Sequence, residues 1–261
     1  MTVTGDNQEC MQGPRPGHGE CMQASETEGI EMVTHEEVTR VVNPPEVVAG
    51  AGRKYAVEGI GAFFLVFVVG ASVMSGSPLA PVAIGVTLMV MVYAGGHISG
   101  GHYNPAVTMA ALVRGRISAG DAVGYWVAQI VGAFIAAEIV RAVVTPAAPV
   151  TALTLAGHGL AAAVVVELLF TFALAYVVLN VATSKDHPDN SFYGLAIGFT
   201  VMAGAIAVGG ISGGAFNPAV AIGAASMGIL AWPTIWIYLV VELVAGAAAG
   251  LVFRALNPAD K

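Results

Sequence analysis

The chain has 261 residues, of which 56% are hydrophobic and only 10% are charged, with a formal net charge of −7 at pH 7. Its mean hydropathy of +0.77 excludes an ordinary soluble domain and favours a membrane protein. Residues 1–49 hold nine acidic residues against Arg15 and Arg40, whereas the eight acidic and eight basic residues of 50–261 cancel. No basic surface therefore suggests a nucleic-acid partner.

Residues 1–52 are predicted to form a disordered, acidic, cytoplasmic tail, because they contain too few large apolar residues to offset the entropy of ordering. No apolar stretch follows a basic start, so the tail does not resemble a secretory signal. A metal site is the alternative for its Cys10, Cys21, His18 and His35. The eleven-residue spacing of the cysteines differs from the close pairs of zinc sites, so no metal or cofactor is predicted.

Six apolar segments follow the tail and approach or exceed the length of about 20 residues that crosses a hydrocarbon core. They are 54–76, 80–96, 119–144, 157–181, 191–209 and 231–254. Two further apolar segments, 104–114 and 217–228, are too short to cross. The pattern predicts six membrane spans and two half-helices.

Each half-helix begins in one copy of an internal repeat. Ile98–Val107 and Ile211–Val220 match at eight of ten positions and lie 113 residues apart. Both copies contain Asn-Pro-Ala, as Asn104-Pro105-Ala106 and Asn217-Pro218-Ala219. Asn can cap a helix, and Pro in the first turn sacrifices no hydrogen bond. The asparagine NH₂ groups are then predicted to stay free to point into a passage.

The basic residues predict how the spans are oriented. Arg141 alone falls on one side, and all the others of the membrane region fall on the opposite side. These others are Arg53, Lys54, Arg114, Arg116, Lys185, Arg254 and Lys261. The positive-inside rule then places both termini in the cytoplasm. The six spans divide three and three, so the repeat copies have opposite orientations and form an inverted repeat.

Irregular backbone at membrane depth is tolerated only where protein buries it or water wets it, so the glycine-rich approaches to Asn104 and Asn217 are predicted to line a passage. Two helix N-termini meeting there each contribute about half a positive charge and repel cations. The asparagine amides donate to a neutral permeant and interrupt a chain of proton-conducting water. The site therefore favours neutral solutes over ions.

With two Asn-Pro-Ala motifs in this context, the chain resembles the aquaporins, or major intrinsic proteins, across about residues 53–255. The resemblance implies an all-α membrane protein, a right-handed bundle of six transmembrane helices and two re-entrant half-helices. Its repeats span about 53–145 and 157–255, and 256–261 form a short C-terminal tail. The resemblance also implies a pore in each subunit of a homotetramer. Its expected partners are the lipid bilayer, water and small neutral solutes.

The resemblance assigns three residues to loop support. Glu58 and Glu167 are expected to accept hydrogen bonds from the backbone of the re-entrant loops, and His97 is expected to help hold the first loop together with His102. Such partners fit two carboxylates in apolar spans, because an unpaired carboxylate in lipid is expensive. The alternative for the glutamates is a proton relay or a coupling-ion site. Gating by pH is the alternative for the histidines.

The outer constriction departs most from the family pattern. By distance from the motifs, its four positions fall on Ile84, Ala205, Gly214 and Val220. The last is arginine in most of the family, and the second is histidine in strict water channels. The sequence therefore predicts a wide, apolar filter that admits glycerol, urea, ammonia or hydrogen peroxide besides water. Valine also occurs here in some plant vacuolar members, so it does not indicate a closed pore.

Other positions favour a strict water channel, which remains the alternative function. Glycerol-conducting members usually have aspartate where Ala221 stands, and Ala225 and the pair Ile237-Tyr238 are also closer to water channels.

A secondary transporter would need ionisable coupling residues, and 94–108 and 207–221 contain no Asp, Glu, Lys or Arg. A structural protein that conducts nothing remains a further alternative. The sequence contains no arrangement of catalytic residues, so an enzyme is not predicted. The small size and short loops favour a microbial plasma membrane.

Glu242 receives only a general assignment from the sequence. Adding the repeat length of 113 to Gln129 gives Glu242, and the same operation relates Tyr125 to Tyr238. A carboxylate at a helix contact is favoured over an acid in the pore. The sequence does not identify its partner.

Overall fold

The computed structural model describes residues 50–260. The predicted tail up to residue 49, including both cysteines, lies outside the described residues, as does Lys261. The first helix begins at Ala51, two residues before the predicted start of the channel domain.

The described residues form eight α-helices and one short 3₁₀ helix at Trp232–Thr234. The α-helices are α1 Ala51–Met74, α2 Ala80–Ser99, α3 Pro105–Arg114, α4 Ala119–Val143, α5 Gly157–Thr183, α6 Tyr193–Ser212, α7 Pro218–Ser226 and α8 Ile235–Leu256. Within 50–260, the extended pairing is one isolated bridge between Leu153 and Leu230. The architecture is all-α, as predicted.

Six of these helices are long and apolar enough to cross a membrane. The other two, α3 and α7, have 10 and 9 residues and cannot cross. The predicted division into six spans and two half-helices is therefore confirmed. The long helices turn many large apolar side chains outward, such as Phe64, Val127 and Leu169, and lipid is the solvent that suits such a surface.

Two of the predicted helix ends are wrong by three residues. Helices α2 and α6 continue to Ser99 and Ser212 instead of ending at 96 and 209. The residues that end them are Gly100 and Gly213, whose φ angles of 90° and 91° place them in the left-handed conformation. A glycine in this conformation is a common C-terminal cap because it has no Cβ to clash. The earlier glycines of each helix remain helical.

The two repeats meet along α2 and α6. A Cβ built on Gly85 would lie 2.6 Å from the Gly198 carbonyl oxygen, and one built on Gly198 would lie 2.4 Å from the Gly85 carbonyl oxygen. These glycines are 113 residues apart and therefore occupy equivalent positions. Small residues let membrane helices approach closely, so the pair marks the pseudo-two-fold contact between the repeats.

The half-helices lock the repeats together. Helix α3 packs against α8, and α7 packs against α4, so each half-helix contacts the last long helix of the opposite repeat. Within a repeat, α1 packs against α4 and α5 packs against α8. The N-termini of α3 and α7 are thereby brought to the middle of the bundle.

Basic residues gather at one end of the bundle around Asp260. The buried guanidinium of Arg114 donates to its carboxylate at 2.7 Å, Arg116 donates to the same oxygen at 3.2 Å, and the backbone N–H of Lys185 donates to the other oxygen at 2.9 Å. Burial alone would raise the pKa of Asp260, but the hydrogen bonds from Lys185 and Arg114 outweigh it and lower the pKa to about 2. Three segments distant in sequence thus meet at this end.

Candidate pore and its supporting loops

Each half-helix begins at the asparagine of its motif. The Asn104 side-chain oxygen accepts hydrogen bonds from the backbone N–H groups of Ala106 at 2.8 Å and Val107 at 3.4 Å. The Asn217 side-chain oxygen accepts from the N–H of Ala219 at 3.0 Å. Capping satisfies N–H groups that a helix start leaves without partners. The asparagines therefore fix both the start and the direction of α3 and α7.

The same asparagines also connect the two loops. The Asn104 amide nitrogen donates to the Phe216 carbonyl at 2.9 Å, and the Asn217 amide nitrogen donates to the Tyr103 carbonyl at 2.9 Å. Tyr103 and Phe216 have φ angles of 48° and 49°, a region that non-glycine residues rarely adopt. The sequence predicted that each NH₂ group stays free. In the structure, one N–H of each asparagine amide donates to the opposite loop. The second N–H of each amide remains for a permeant molecule.

Glu58 holds the first loop from α1. Its carboxylate is fully buried and accepts four hydrogen bonds. One oxygen accepts from the Ser99 hydroxyl at 2.7 Å and the His102 N–H at 2.9 Å. The other accepts from the Tyr103 N–H at 2.6 Å and the Gln129 side-chain amide at 2.8 Å. Two of these four donors belong to the loop backbone, so the carboxylate connects α1 to the first loop.

Glu167 holds the second loop from α5 in the same way. The Ser212 hydroxyl and the Ala215 N–H, the latter at 3.1 Å, donate to one oxygen. The Phe216 N–H donates to the other oxygen at 2.8 Å. The Tyr238 hydroxyl donates to the Ser212 carbonyl, beside this carboxylate. Both loops are therefore tied through their backbones to a carboxylate on the first helix of their repeat.

The two histidines of the first loop differ in their contacts. His102 lies beside Thr108, with its Nδ1 atom 3.1 Å from the threonine hydroxyl. His97 lies in the last turn of α2 and lines the cavity at the basic end of the bundle. None of the hydrogen bonds that hold the loop within residues 50–260 comes from His97. Of the two histidines that were expected to hold the loop, His102 therefore makes a side-chain contact with it.

A cavity of about 270 Å³ passes beside the junction of the motifs. All four predicted filter residues line it, together with Asn104 and Asn217; the four are Ile84, Ala205, Gly214 and Val220. Most of the remaining wall is aliphatic, and no Asp, Glu, Lys or Arg of the described residues lines it. The residues assigned from motif spacing thus come from four separate segments to one cavity.

A second cavity opens toward the basic end. It is lined by residues that include Lys54, Arg116 and Lys185, and it shares His102 and Val178 with the first cavity. The two cavities therefore border the same residues, His102 and Val178, one on the side of the filter residues and the other on the side of the basic end.

Sequence reasoning missed several residues that support the loops. Gln129 binds both Glu58 and the Thr108 hydroxyl, the latter at 3.1 Å, and the Trp126 ring N–H donates to the Pro105 carbonyl at 3.0 Å. The signal for Gln129 was a lone amide in an otherwise apolar span. No comparable signal marked the indole of Trp126, since tryptophan is common in membrane helices.

The sequence profile of the family described as "Major intrinsic protein" matches residues 48–253, which cover both loops and all eight α-helices up to residue 253. The chain belongs to the major intrinsic protein family. Membership makes it a passive membrane channel for water and small solutes, in a family of channels and not of enzymes.

Relatives of this family member include "Glycerol uptake facilitator protein-like 6" of Lactiplantibacillus plantarum. It is 40% identical over 218 residues, which cover 80% of this chain and 100% of the relative. "Aquaporin TIP1-1" of Arabidopsis thaliana is 41% identical over 190 residues, covering 71% of this chain and 74% of the relative.

A solved structure also resembles this major intrinsic protein. The "aquaglyceroporin from Plasmodium falciparum" aligns with a TM-score of 0.65 and 20% identity, covering 78% of this chain and 96% of that chain. At this identity the likeness shows the fold. It confirms the predicted fold class of six transmembrane helices with two re-entrant half-helices.

Proposed function

We propose that this channel conducts small neutral solutes such as glycerol, urea, ammonia and hydrogen peroxide as well as water. The observation that carries the proposal is the filter of Ile84, Ala205, Gly214 and Val220, which presents no polar side chain to the cavity. The channel excludes ions at the junction of the two Asn-Pro-Ala motifs. A strict water channel is the second candidate, supported by Ala221 and Ala225.

Val220 is the decisive residue of the filter. An arginine in its place would extend a long, rigid donor group across the cavity and add a positive charge. Pore diameter and the donors lining it set the selectivity of such channels. An aliphatic side chain occupies less of the passage than an arginine. It also has no donors that would bind the hydroxyl groups of a polyol. Larger neutral solutes should therefore enter beside Val220.

Ion exclusion is proposed to rest on the half-helix junction. The N-termini of α3 and α7 meet there through the bonds from Asn104 and Asn217 to opposite loops. Each N-terminus contributes about half a positive charge. No charged side chain among the described residues lines this cavity, so the helix dipoles dominate its field.

Stopped-flow light scattering on proteoliposomes tests the filter. We compare vesicle shrinkage under an impermeant osmolyte with re-swelling under glycerol and urea, using empty vesicles as the background. Val220→Arg is expected to lower glycerol permeability about tenfold or more and water permeability by less than about threefold. Val220→Leu is the matched control, because it adds bulk without donors or charge and should change glycerol permeability less.

Two results would overturn the assignment of the filter. One is an equal reduction of water and glycerol permeability by Val220→Arg. The other is a wild-type channel that passes water rapidly but neither glycerol nor urea, which would identify a strict water channel. No permeability at all in vesicles that contain folded protein would point to a structural role.

The remaining proposals concern the setting of the channel. We propose a homotetramer in the plasma membrane with both termini in the cytoplasm. The basic end around Arg114, Arg116 and Asp260 supports the orientation through the positive-inside rule. The exposed apolar faces of α1 and α4, including Phe64 and Val131, are available for subunit contacts. Native mass spectrometry tests the tetramer, and protease access to the N-terminal segment in sealed cells tests the orientation.

A further inference from the structure

Glu242 is a buried ionisable residue that the pore does not use. It lies on α8, its side chain is 0% exposed, and it does not line the cavity that contains the filter. Neither of its carboxylate oxygens accepts a hydrogen bond in the part of the chain that the structure describes. A carboxylate in this state would carry the full cost of an unpaired buried charge.

The equivalent residue in the first repeat shows what the position does. Gln129 donates from its amide to Glu58 at 2.8 Å and to the Thr108 hydroxyl at 3.1 Å. It therefore supplies the fourth hydrogen bond to the carboxylate that holds the first loop. Glu167 has three donors in the corresponding site, namely Ser212 and the two backbone N–H groups of the second loop. The fourth donor, which Gln129 supplies in the first repeat, would have to come from Glu242 in the second.

The carboxyl group of Glu242 lies close enough to that of Glu167 for the two to repel each other if both are charged. An ionised carboxylate only accepts hydrogen bonds, whereas a protonated one has an O–H to donate. Two carboxylates that share a buried site cannot both remain ionised, because like charges repel strongly where water is absent. One proton between them converts the repulsion into a hydrogen bond.

Within residues 50–260, the surroundings of Glu242 offer no cation to neutralise a second charge. Helix α8 packs against α5, α3 and α7. Helix α7 contains no ionisable residue, and the one in α3 is Arg114, which stacks on Phe253, eleven residues beyond Glu242. The other ionisable residues of α5, His158 and Tyr176, each lie nine residues from Glu167. The Tyr238 hydroxyl, on α8 itself, is engaged with the Ser212 carbonyl.

The second repeat has also lost the polar partners that surround Gln129. His102 and Thr108 of the first repeat correspond to Ala215 and Ala221, which have no hydrogen-bonding side chains. Neither of these positions therefore supplies a side-chain acceptor to a donor at position 242, whereas the neighbouring Glu167 does.

We propose that Glu242 is a positioning residue that retains a proton and donates it as a hydrogen bond to Glu167, in the role that the Gln129 amide has at Glu58. The pair fixes the loop that carries Gly214 and Asn217, and so fixes one wall of the filter. This inference rests on the proposed channel function, but it does not depend on which solutes pass.

Infrared difference spectroscopy tests the proton directly. At neutral pH the wild-type channel should show the C=O stretch of a protonated carboxylic acid, and Glu242→Gln should lose it. Gln129→Glu is the matched variant, since it builds the same carboxyl pair at Glu58 and should add a second band. Absence of the band from the wild type, or its persistence in Glu242→Gln, would overturn the proposal. If Gln129→Glu does not fold, the comparison with Glu242→Gln decides alone.

Water permeability tests the positioning role. Glu242→Gln keeps a donor and should remain within about twofold of the wild type, whereas Glu242→Leu removes it and should lower permeability about fivefold or more. Raising the pH to about 10, above the range of about 8–9 documented for buried glutamates, should reduce wild-type permeability and leave that of Glu242→Gln unchanged. Equal pH profiles for these two proteins would contradict the proposal.

These readouts separate the inference from the proposed solute range. A protein that passes only water would refute the wide filter. The presence or absence of its infrared band would still decide whether Glu242 is protonated. A protein that passes glycerol without the band would keep the proposed function and lose the role of Glu242. Folded Glu242→Leu with wild-type permeability would also refute the positioning role.

Discussion

The two re-entrant loops have the same backbone contacts but different side chains behind them. In both loops, a buried glutamate accepts from two successive backbone N–H groups and a serine hydroxyl. The first glutamate then faces an amide, at Gln129, and the second faces a carboxyl group, at Glu242. The shape of the loop therefore depends on contacts to its backbone. The side chain behind the glutamate is free to differ if it supplies a donor.

The half-helices differ again at their far ends. Helix α3 ends at Arg114, which is buried and bound to Asp260. The equivalent of Arg114 in the second repeat is Met227, which packs in the apolar core. The N-termini of the half-helices are thus nearly symmetric because both build the pore. Their C-terminal ends contact different surroundings and have diverged.

The largest expected effect is the loss of a loop-holding glutamate. Glu58→Leu leaves buried donors of Ser99, His102 and Tyr103 without an acceptor and should cost about 3–5 kcal/mol of unfolding free energy. Glu167→Leu strands the donors of Ser212, Ala215 and Phe216 but should cost less, because it also removes one of two carboxyl groups that share a buried site. Detergent unfolding followed by tryptophan fluorescence measures both. Equal losses would mean that the difference between the loops has no energetic consequence.

A smaller effect is expected where the repeats touch. Gly198→Ala places a Cβ against the backbone of Gly85, which must move away, so we expect a loss of about 1–3 kcal/mol. Gly85→Ala should cost a similar amount, since the contact is reciprocal. Gly210→Ala on the same α6 meets no atom within 4 Å and serves as the control, with no loss of stability. If Gly198→Ala behaved like Gly210→Ala, the close contact would not stabilise the fold.

The smallest effect is expected at the end of α3. Because the pKa of Asp260 is lowered from its ordinary 3.8 to about 2, its carboxylate stabilises the fold above about pH 4 and stops doing so as the pH falls from 4 to 2. Asp260→Asn should therefore lower the melting temperature at neutral pH, and the difference from wild type should vanish near pH 2. The exposed Asp186→Asn is the control. A difference that did not change with pH would exclude the ionic contact as its cause.

The pore was largely predictable from local features of the sequence. A repeated motif identified Asn104 and Asn217. The distance from that motif identified the four filter residues, which all line one cavity, namely Ile84, Ala205, Gly214 and Val220. Glu58 and Glu167 were conspicuous because a carboxylate in an apolar span needs a partner. No loop contact of His97 is found among the described residues. The sequence could not distinguish His97 from His102, because both lie near the first motif and only packing decides which of them contacts the loop.

The sequence by itself determined the number of spans, their approximate limits, the two half-helices and the residues that open them. These features follow from hydropathy, helix length and capping, which act over neighbouring residues. Only the tertiary structure decided that each asparagine binds the opposite loop, that Gly85 meets Gly198, that Arg114 binds Asp260 and that Glu242 faces Glu167. Those contacts join residues between 75 and 146 positions apart, and their geometry exists only once the helices have packed.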